Sequence, residues 1–263
     1  MKKSEIDISI LFFTRGRIAH HVGDGTTNMV KDMIQNINEK SACRSAIEVI
    51  IGYDFDDYET KEYLEEKKYL PELNDRFGDD LVNIHAYELP AGDGKGSGGE
   101  WYLFLGNKSS SNKWIWLTAD DFRIITDDWD VRLRENVPDK RSIISQGMIH
   151  NIPGYWGNGR QDLNSYLPIS PILTADVFHA TKDIVFAPVD QWYWQLSTRL
   201  GILKTMDYII DCEHLEWGIR ISGTLSFTKK GTRTCSTSLS VNTRLPEWES
   251  SLLAAEKRIG QQA

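Results

Sequence analysis

The chain has few cysteines, no long apolar run and no excess of positive charge, and each shortage narrows what it can be. Its three cysteines, Cys43, Cys212 and Cys235, are odd in number and widely spaced, with no Cys-x-x-Cys pair. That pattern argues against both a disulfide framework and a cysteine-ligated zinc, and predicts buried thiols. No apolar run approaches the roughly 20 residues that a membrane-spanning helix needs. The start MKKSEIDISILFF passes from charge straight into a strand-like run without a small-residue cleavage site, so a cytoplasmic location is expected. A net charge of −8 repels polyanions in general, which removes nucleic acid as the default partner. Basic residues gather only locally, as Arg132, Arg134, Lys140 and Arg141 and again as Lys229, Lys230 and Arg233. Either cluster is a solvated surface or a patch for a polyanionic acceptor.

What is present is enough hydrophobic content, 40% of 263 residues, to bury a substantial core as one large domain or two small ones. The first half alternates strand-like and helix-like segments, which predicts a layered α/β domain with a largely parallel sheet. Ile8 to Phe13 reads as the first strand and runs into the polar turn Thr14-Arg15-Gly16-Arg17. Met29, Val30, Met33, Ile34 and Ile37 then recur on one helical face, with Asp24, Thr26 or Thr27 available as the cap. Ile47 to Tyr53 is the second strand and closes on Asp54, Asp56 and Asp57. Residues 59 to 77 read as helical with an interruption at Pro71, and Leu81 to Leu89 as a third strand. The glycine-rich AGDGKGSGG reads as a flexible loop, since it lacks both the Lys-Ser/Thr of a Walker loop and the strand-to-helix setting of a dinucleotide fingerprint. A helix is expected from Trp101 to Leu105.

The densest chemistry lies in KWIWLTADDFRIITDDWD, from Lys113 to Asp130. The run Trp114, Ile115, Trp116, Leu117 is short and bulky, as a buried strand is, and it stops at the adjacent carboxylates Asp120 and Asp121. Acids at the carboxyl end of a strand sit where open α/β sheets bind ligands, although a doublet alone is also the ordinary polar turn that ends a strand. Thr126 is expected to cap a helix, with Asp127 and Asp128 at its positive amino end. In the second half, residues 146 to 171 mix Gly, Pro, Asn and aromatics without periodicity and read as an ordered binding loop. A helix is expected to start at Asp190, with Trp194, Leu196 and Leu200 on one rough stripe, and to end at Gly201, and Tyr208 to Ile210 to form a strand leading into Asp211-Cys212-Glu213-His214. A short helical tail begins at Glu247.

Taken in order, ISILFFTRGR at 8–17, EVIIGYDFDD at 48–57, WIWLTADDFRIITDDWD at 114–130, VDQWYWQLSTRLGI at 189–202 and CEHLEW at 212–217 resemble the GT-A glycosyltransferases, in particular the family 2-like members. The resemblance covers most of residues 6–217. It implies a GT-A-like, Rossmann-like α/β fold, a mostly parallel sheet flanked by helices with an irregular acceptor-binding second half. It further implies one catalytic domain over 1–222, with a nucleotide-sugar half at 1–134 and an acceptor half at 135–222, followed by a C-terminal extension at 223–263. The implied reaction moves a sugar, with inversion, from a nucleotide diphosphate donor such as a UDP-sugar to a hydroxyl. The acceptor ranges from a surface polysaccharide to a hydroxymethylated DNA base, because compact enzymes of this kind occur in bacteriophages.

The residue roles follow from the same resemblance. A departing nucleotide diphosphate develops negative charge, which a divalent cation such as Mn2+ or Mg2+ neutralises, and hard cations take carboxylate oxygens. Asp121 is the implied metal ligand, while Asp120 bonds the ribose or a metal-bound water. The motif is Ala-Asp-Asp rather than Asp-any-Asp, which leaves the number of coordinating carboxylates open. His214 either completes the metal site or is a satisfied, partly buried side chain. Thr14, Arg15 and Arg17 fall in the nucleotide pocket, and Asp54 accepts a bond from the base. Asp190 matches the position of the general base that deprotonates the acceptor hydroxyl, with Val189 where the family usually has Glu, and it also suits a helix amino end. Tyr155, Trp156, Trp192 and Trp194 offer ring faces for the acceptor. A second reading is a non-catalytic carbohydrate- or nucleic-acid-binding module with a structural cation. A third, a nucleotidyltransferase, should carry a glycine-rich basic loop after the first strand, where the TRGR turn holds one glycine.

Overall fold

A computed structural model describes residues 5–14, 20–22, 25–89, 98–119, 122–137, 141–150, 159–160, 170–185, 189–214 and 246–261. In chain order the strands are β1 (Ile8–Thr14), β2 (His20–Val22), β3 (Gly25–Thr27), β4 (Ile47–Asp54), β5 (Asn83–Leu89), β6 (Trp114–Ala119), β7 (Phe122–Ile124), β8 (Ile143–His150), β9 (Gly159–Arg160), β10 (Ile172–Thr174) and β11 (Leu203–His214). The helices are α1 (Met29–Lys40), α2 (Tyr58–Glu65), α3 (Leu70–Phe77), α4 (Gly98–Gly106), α5 (Trp129–Asn136), α6 (Ala175–Thr181), α7 (Val189–Leu200) and α8 (Pro246–Gln261). The main sheet has the order β5-β4-β1-β6-β10-β8-β11-β7, with β9 added on β8, and β2 pairs with β3 apart from it. Strands β5, β4, β1 and β6 are parallel, β10 runs against both its neighbours, β8 and β11 are parallel, and β7 is reversed at the edge.

Helices cover both faces, so the central strands must be apolar on both sides, and every residue of β4 is buried. Alternation divides the side chains between two cores. Ile8, Ile10 and Phe12 join Val49 and Ile51 beneath α1, α2, α3 and α5, whereas Leu11, Ile50, Ile115 and Leu117 face α4, α6, α7 and α8. Helix α8 belongs to that second core through Trp248, Leu252, Ala255 and Ile259.

Strand order and chain order together require the sheet to curl. The chain leaves β6 at Ala119 and re-enters the sheet at Phe122 in β7, yet β10, β8 and β11 lie between those strands. Four strand spacings in a flat sheet come to about 19 Å, while three peptide links reach at most about 11 Å. The edge strand must therefore swing back toward β6, and it does so over α1, which packs against β7 in the first core.

Several local expectations are corrected. The α1 cap is Asn28, whose side chain accepts the Lys31 N–H at 2.9 Å, because Thr26 and Thr27 are committed to extended β3. Pro71 does not interrupt a helix but sits in the first turn of α3, where its missing N–H costs nothing, and the break falls earlier, around Lys67 at φ 53°. Thr126 does not cap α5: its hydroxyl takes the Asp211 N–H at 2.8 Å, and Asp128 stands at the helix start. Residues 146 to 150 are not loop but the end of β8. Cys212 is buried, Cys43 is exposed, and Cys235 lies outside the described residues.

Candidate active site

The parallel register brings the strand ends to one edge. Phe13 pairs with Ala119, Thr14 with Tyr53 and Asp54 with Leu89, so the ends of β1, β4, β5 and β6 are level. Further along, His150 pairs with His214, and His214 pairs with Phe122, the residue that follows Asp121. The chain around the acid doublet and His214, distant in sequence, thus meet across the β7–β11 ladder. Helix α7 turns through Gly201 (φ 65°) and Ile202 into the start of β11 and packs against it, which returns its first turn, with Asp190, toward the same edge.

Thr14 and Asp54 are both buried, at 3% exposure. The Asp54 carbonyl accepts the Asp57 N–H at 3.0 Å, and the Asp57 carboxylate then caps α2 through the Thr60 N–H at 3.2 Å, so the acids after β4 serve different ends. Phe55 and Tyr58, exposed just beyond Asp54, are aromatic faces that the sequence reading passed over; their signal is position next to a strand-end acid. Asp190 is half-buried in the first turn of α7. Burial pushes its carboxyl above the ordinary value, against the pull of the Gln191 and Asp190 backbone N–H groups.

Trp192 is overturned as a stacking surface. It is fully buried, its Nε1 donates to Ser251 Oγ of α8 at 2.9 Å, and it packs edge-on against Tyr193. The reason is helical phase: two residues on from Asp190 is about 200° around the helix, into the core, whereas four residues on is about 40° away. Trp194, at that second position, is 39% exposed. The basic cluster is also largely consumed internally. Arg134 pairs with Asp7 at 2.8 Å and Asp130 at 2.6 Å, and Arg141 with Asp176 at 3.1 Å. Arg15, Arg17, Asp120, Asp121, Tyr155 and Trp156 lie outside the described residues, as do Lys140, Lys229, Lys230 and Arg233. Among the described residues no three His, Cys, Asp or Glu side chains gather to hold a metal, and no helix is long and apolar enough to cross a membrane.

The fold is that of GT-A glycosyltransferases. The crystal structure of S. aureus TarS 1–349 is similar with a TM-score of 0.53 at 11% identity, over 76% of this chain and 58% of that one. Its complex with UDP-GlcNAc gives 0.52 at 10% identity, over 76% and 56%. GalNAc-T7 with UDP, GalNAc and Mn2+ gives 0.52 at 10% identity, over 82% of this chain and 45% of that one. The chain thus spans a little over half the length of TarS 1–349. No protein-family model and no curated protein matches the sequence.

Proposed function

We propose that the chain is a metal-dependent glycosyltransferase that moves a sugar, with inversion, from a UDP-sugar to a hydroxyl acceptor. The observation that carries this reading is the convergence, on a GT-A sheet, of Thr14, Asp54, the chain flanking Asp120-Asp121 and His214 along one edge, with the first turn of α7 returning toward it. Asp54 accepts a bond from the uracil N–H, and Thr14, Arg15 and Arg17 line the nucleotide pocket. Asp121 and His214 would hold the Mn2+ or Mg2+, with Asp120 on the ribose or a metal-bound water, a donor set that suits a borderline-hard cation. When bound, the cation offsets the charge that develops on the diphosphate. Asp190 takes the acceptor hydroxyl proton while that oxygen attacks the anomeric carbon and UDP departs with the bonding pair. A carboxyl raised by burial is a stronger base than a solvated one, which suits this task.

The acceptor lies beside α7, where Trp194 offers the ring face that Trp192 does not, with Tyr155 and Trp156 as further aromatic contacts. Internal pairing of Arg134 and Arg141 favours a carbohydrate hydroxyl over modified DNA, because it removes cations that phosphates would need. Incubating the purified protein with Mn2+ and a panel of nucleotide sugars tests the proposal through nucleoside diphosphate release and thermal shift. Asp190→Asn should retain the ligand-induced shift and lose about 10²–10⁴-fold in turnover, while Asp121→Ala should lose metal-dependent nucleotide binding. Absence of both stabilisation and diphosphate release across the panel would sink it.

A further inference from the structure

Strand β7 is an edge strand of three residues that starts directly after Asp120-Asp121. On one side it pairs with β11, matching Ile124 to Cys212 and Phe122 to His214. The Ile125 N–H turns to the Asp211 carbonyl at 2.9 Å, so by the alternation of an antiparallel ladder the N–H and C=O of Ile124 point away from β11. Such outward groups on a buried edge need partners. Asn36 of α1, itself 7% exposed, supplies both: its Oδ1 accepts the Ile124 N–H at 2.7 Å and its Nδ2 donates to the Ile124 carbonyl at 3.0 Å. The two opposing groups fix the amide orientation, and one side chain takes the place of a neighbouring strand.

Helix α1 is a rigid support for this bond. Met33, Ile34 and Ile37 are buried in the first core, and the end of the helix is tied to α5 by Trp129 Nε1 donating to Ser41 Oγ at 3.0 Å. A strand this short, paired among the described residues with β11 alone, would be free to shift along its ladder.

We propose that Asn36 is a positioning residue for the metal and diphosphate site: by clamping Ile124 it fixes the register of Phe122 with His214, and with it the spacing between His214 and the chain leaving Asp121. This inference rests on the glycosyltransferase reading and deepens it. A residue that only stabilises the fold would act on melting temperature. One that sets the metal site would also change the affinity for the cation.

The test compares wild type, Asn36→Leu and Leu73→Ala as full chains. Leu73→Ala opens the same core from α3, away from β7, and reports a purely structural loss. Mn2+ binding in the presence of UDP is followed by the loss of the free-ion electron paramagnetic resonance signal, beside thermal melting. Asn36→Leu is expected to raise the half-saturating Mn2+ concentration severalfold, up to the roughly tenfold that losing a group bonded directly to a ligand costs, with Leu73→Ala near wild type. If Asn36→Leu does not fold, Asn36→Asp carries the same test, because it keeps the size and the acceptor for the Ile124 N–H but turns an oxygen toward the Ile124 carbonyl where Nδ2 donated. Unchanged Mn2+ dependence in the Asn36 variant, with wild type binding normally, overturns the inference alone. Failure of wild type to bind Mn2+ with UDP overturns the metal-site reading and the inference together.

Discussion

Replacing Asp130 with alanine is expected to destabilise the fold by about 3–5 kcal/mol, the range for removing one partner of a buried pair. Asp130 is fully buried in α5, and its oxygens accept the N–H groups of Ala42 and Cys43, each at 2.9 Å, and Nη1 of Arg134 at 2.6 Å. Arg134 also holds Asp7 through Nε at 2.9 Å and Nη2 at 2.8 Å, so the variant leaves it partly paired. The loss is then dominated by two orphaned peptide N–H groups at about 1–3 kcal/mol each. For a domain of this size that corresponds to a fall of about 10 °C in Tm. The pH dependence gives an independent check. Burial alone would raise the Asp130 carboxyl, but the Ala42 N–H, Arg134 and the Cys43 N–H outweigh it and hold it below its ordinary value. A carboxylate with a depressed folded pKa contributes stability above its unfolded pKa, about 3.9, and loses it as pH falls through the folded value. The Tm gap between wild type and Asp130→Asn should therefore be full at neutral pH and should narrow below about pH 4. Circular dichroism melts across the acid range measure both. A loss under about 3 °C for Asp130→Ala, set against the expected 2–4 °C per kcal/mol, or a gap that stays constant into acid, would refute the reasoning.

Asp190→Asn should raise Tm at neutral pH while lowering turnover, because a carboxyl raised by burial favours the fold below its unfolded pKa and loses that contribution as pH rises through the folded value. Differential scanning calorimetry at several pH values reads this, and a destabilised variant would contradict it. Gly106→Ala should lose about 1–3 kcal/mol by overpacking, since an added Cβ would lie 2.2 Å from Phe178 Cζ, and urea midpoints measure the loss. Trp192→Ala should cost about 3–5 kcal/mol as a core deletion, whereas Trp194→Ala should leave the melt close to wild type and raise the acceptor KM.

The parallel half of the sheet was legible because β1, β4 and β6 are buried on both faces and so read as continuous apolar runs. Strand β8 was not, because IISQGMIH puts the buried polar residues Ser145 and Gln146 in its middle. Gln146 is tolerated there because its Nε2 donates to the Ser170 carbonyl at 2.5 Å, a partner that no local pattern announces. The α1 cap is hidden for a related reason, since threonines that suit a cap also suit the extended pairing of β3. Helical phase separates Trp192 from Trp194, but the rough stripe of Trp194, Leu196 and Leu200 points the wrong tryptophan inward, and only burial shows that Trp192 joins Leu196 in the core.

The candidate site shows the same division between local and distant information. Strand-end acids announce themselves, so Asp54 and the Asp120-Asp121 doublet were readable in place. The pairing of Phe122 with His214 was not, because it depends on β7 leaving the centre of the sheet and joining its far edge. A chain that crosses so wide a sheet in so few links can do so only if the sheet curls, and a curled edge leaves Ile124 facing inward with no strand beside it among the described residues. Asn36 fills that position from a helix distant in sequence. If the clamp sets the site, variants that relax the curl at β7 without touching a carboxylate or His214 should weaken Mn2+ binding before they weaken the fold. Thr126→Val provides such a case, since it removes the hydroxyl that accepts the Asp211 N–H beside β7. Paired Mn2+ titrations and melts of that variant should show the affinity falling beyond what the Tm loss from one orphaned N–H, about 1–3 kcal/mol, accounts for, and a Tm loss with unchanged Mn2+ affinity would place Asp120-Asp121 outside the control of the β7 edge.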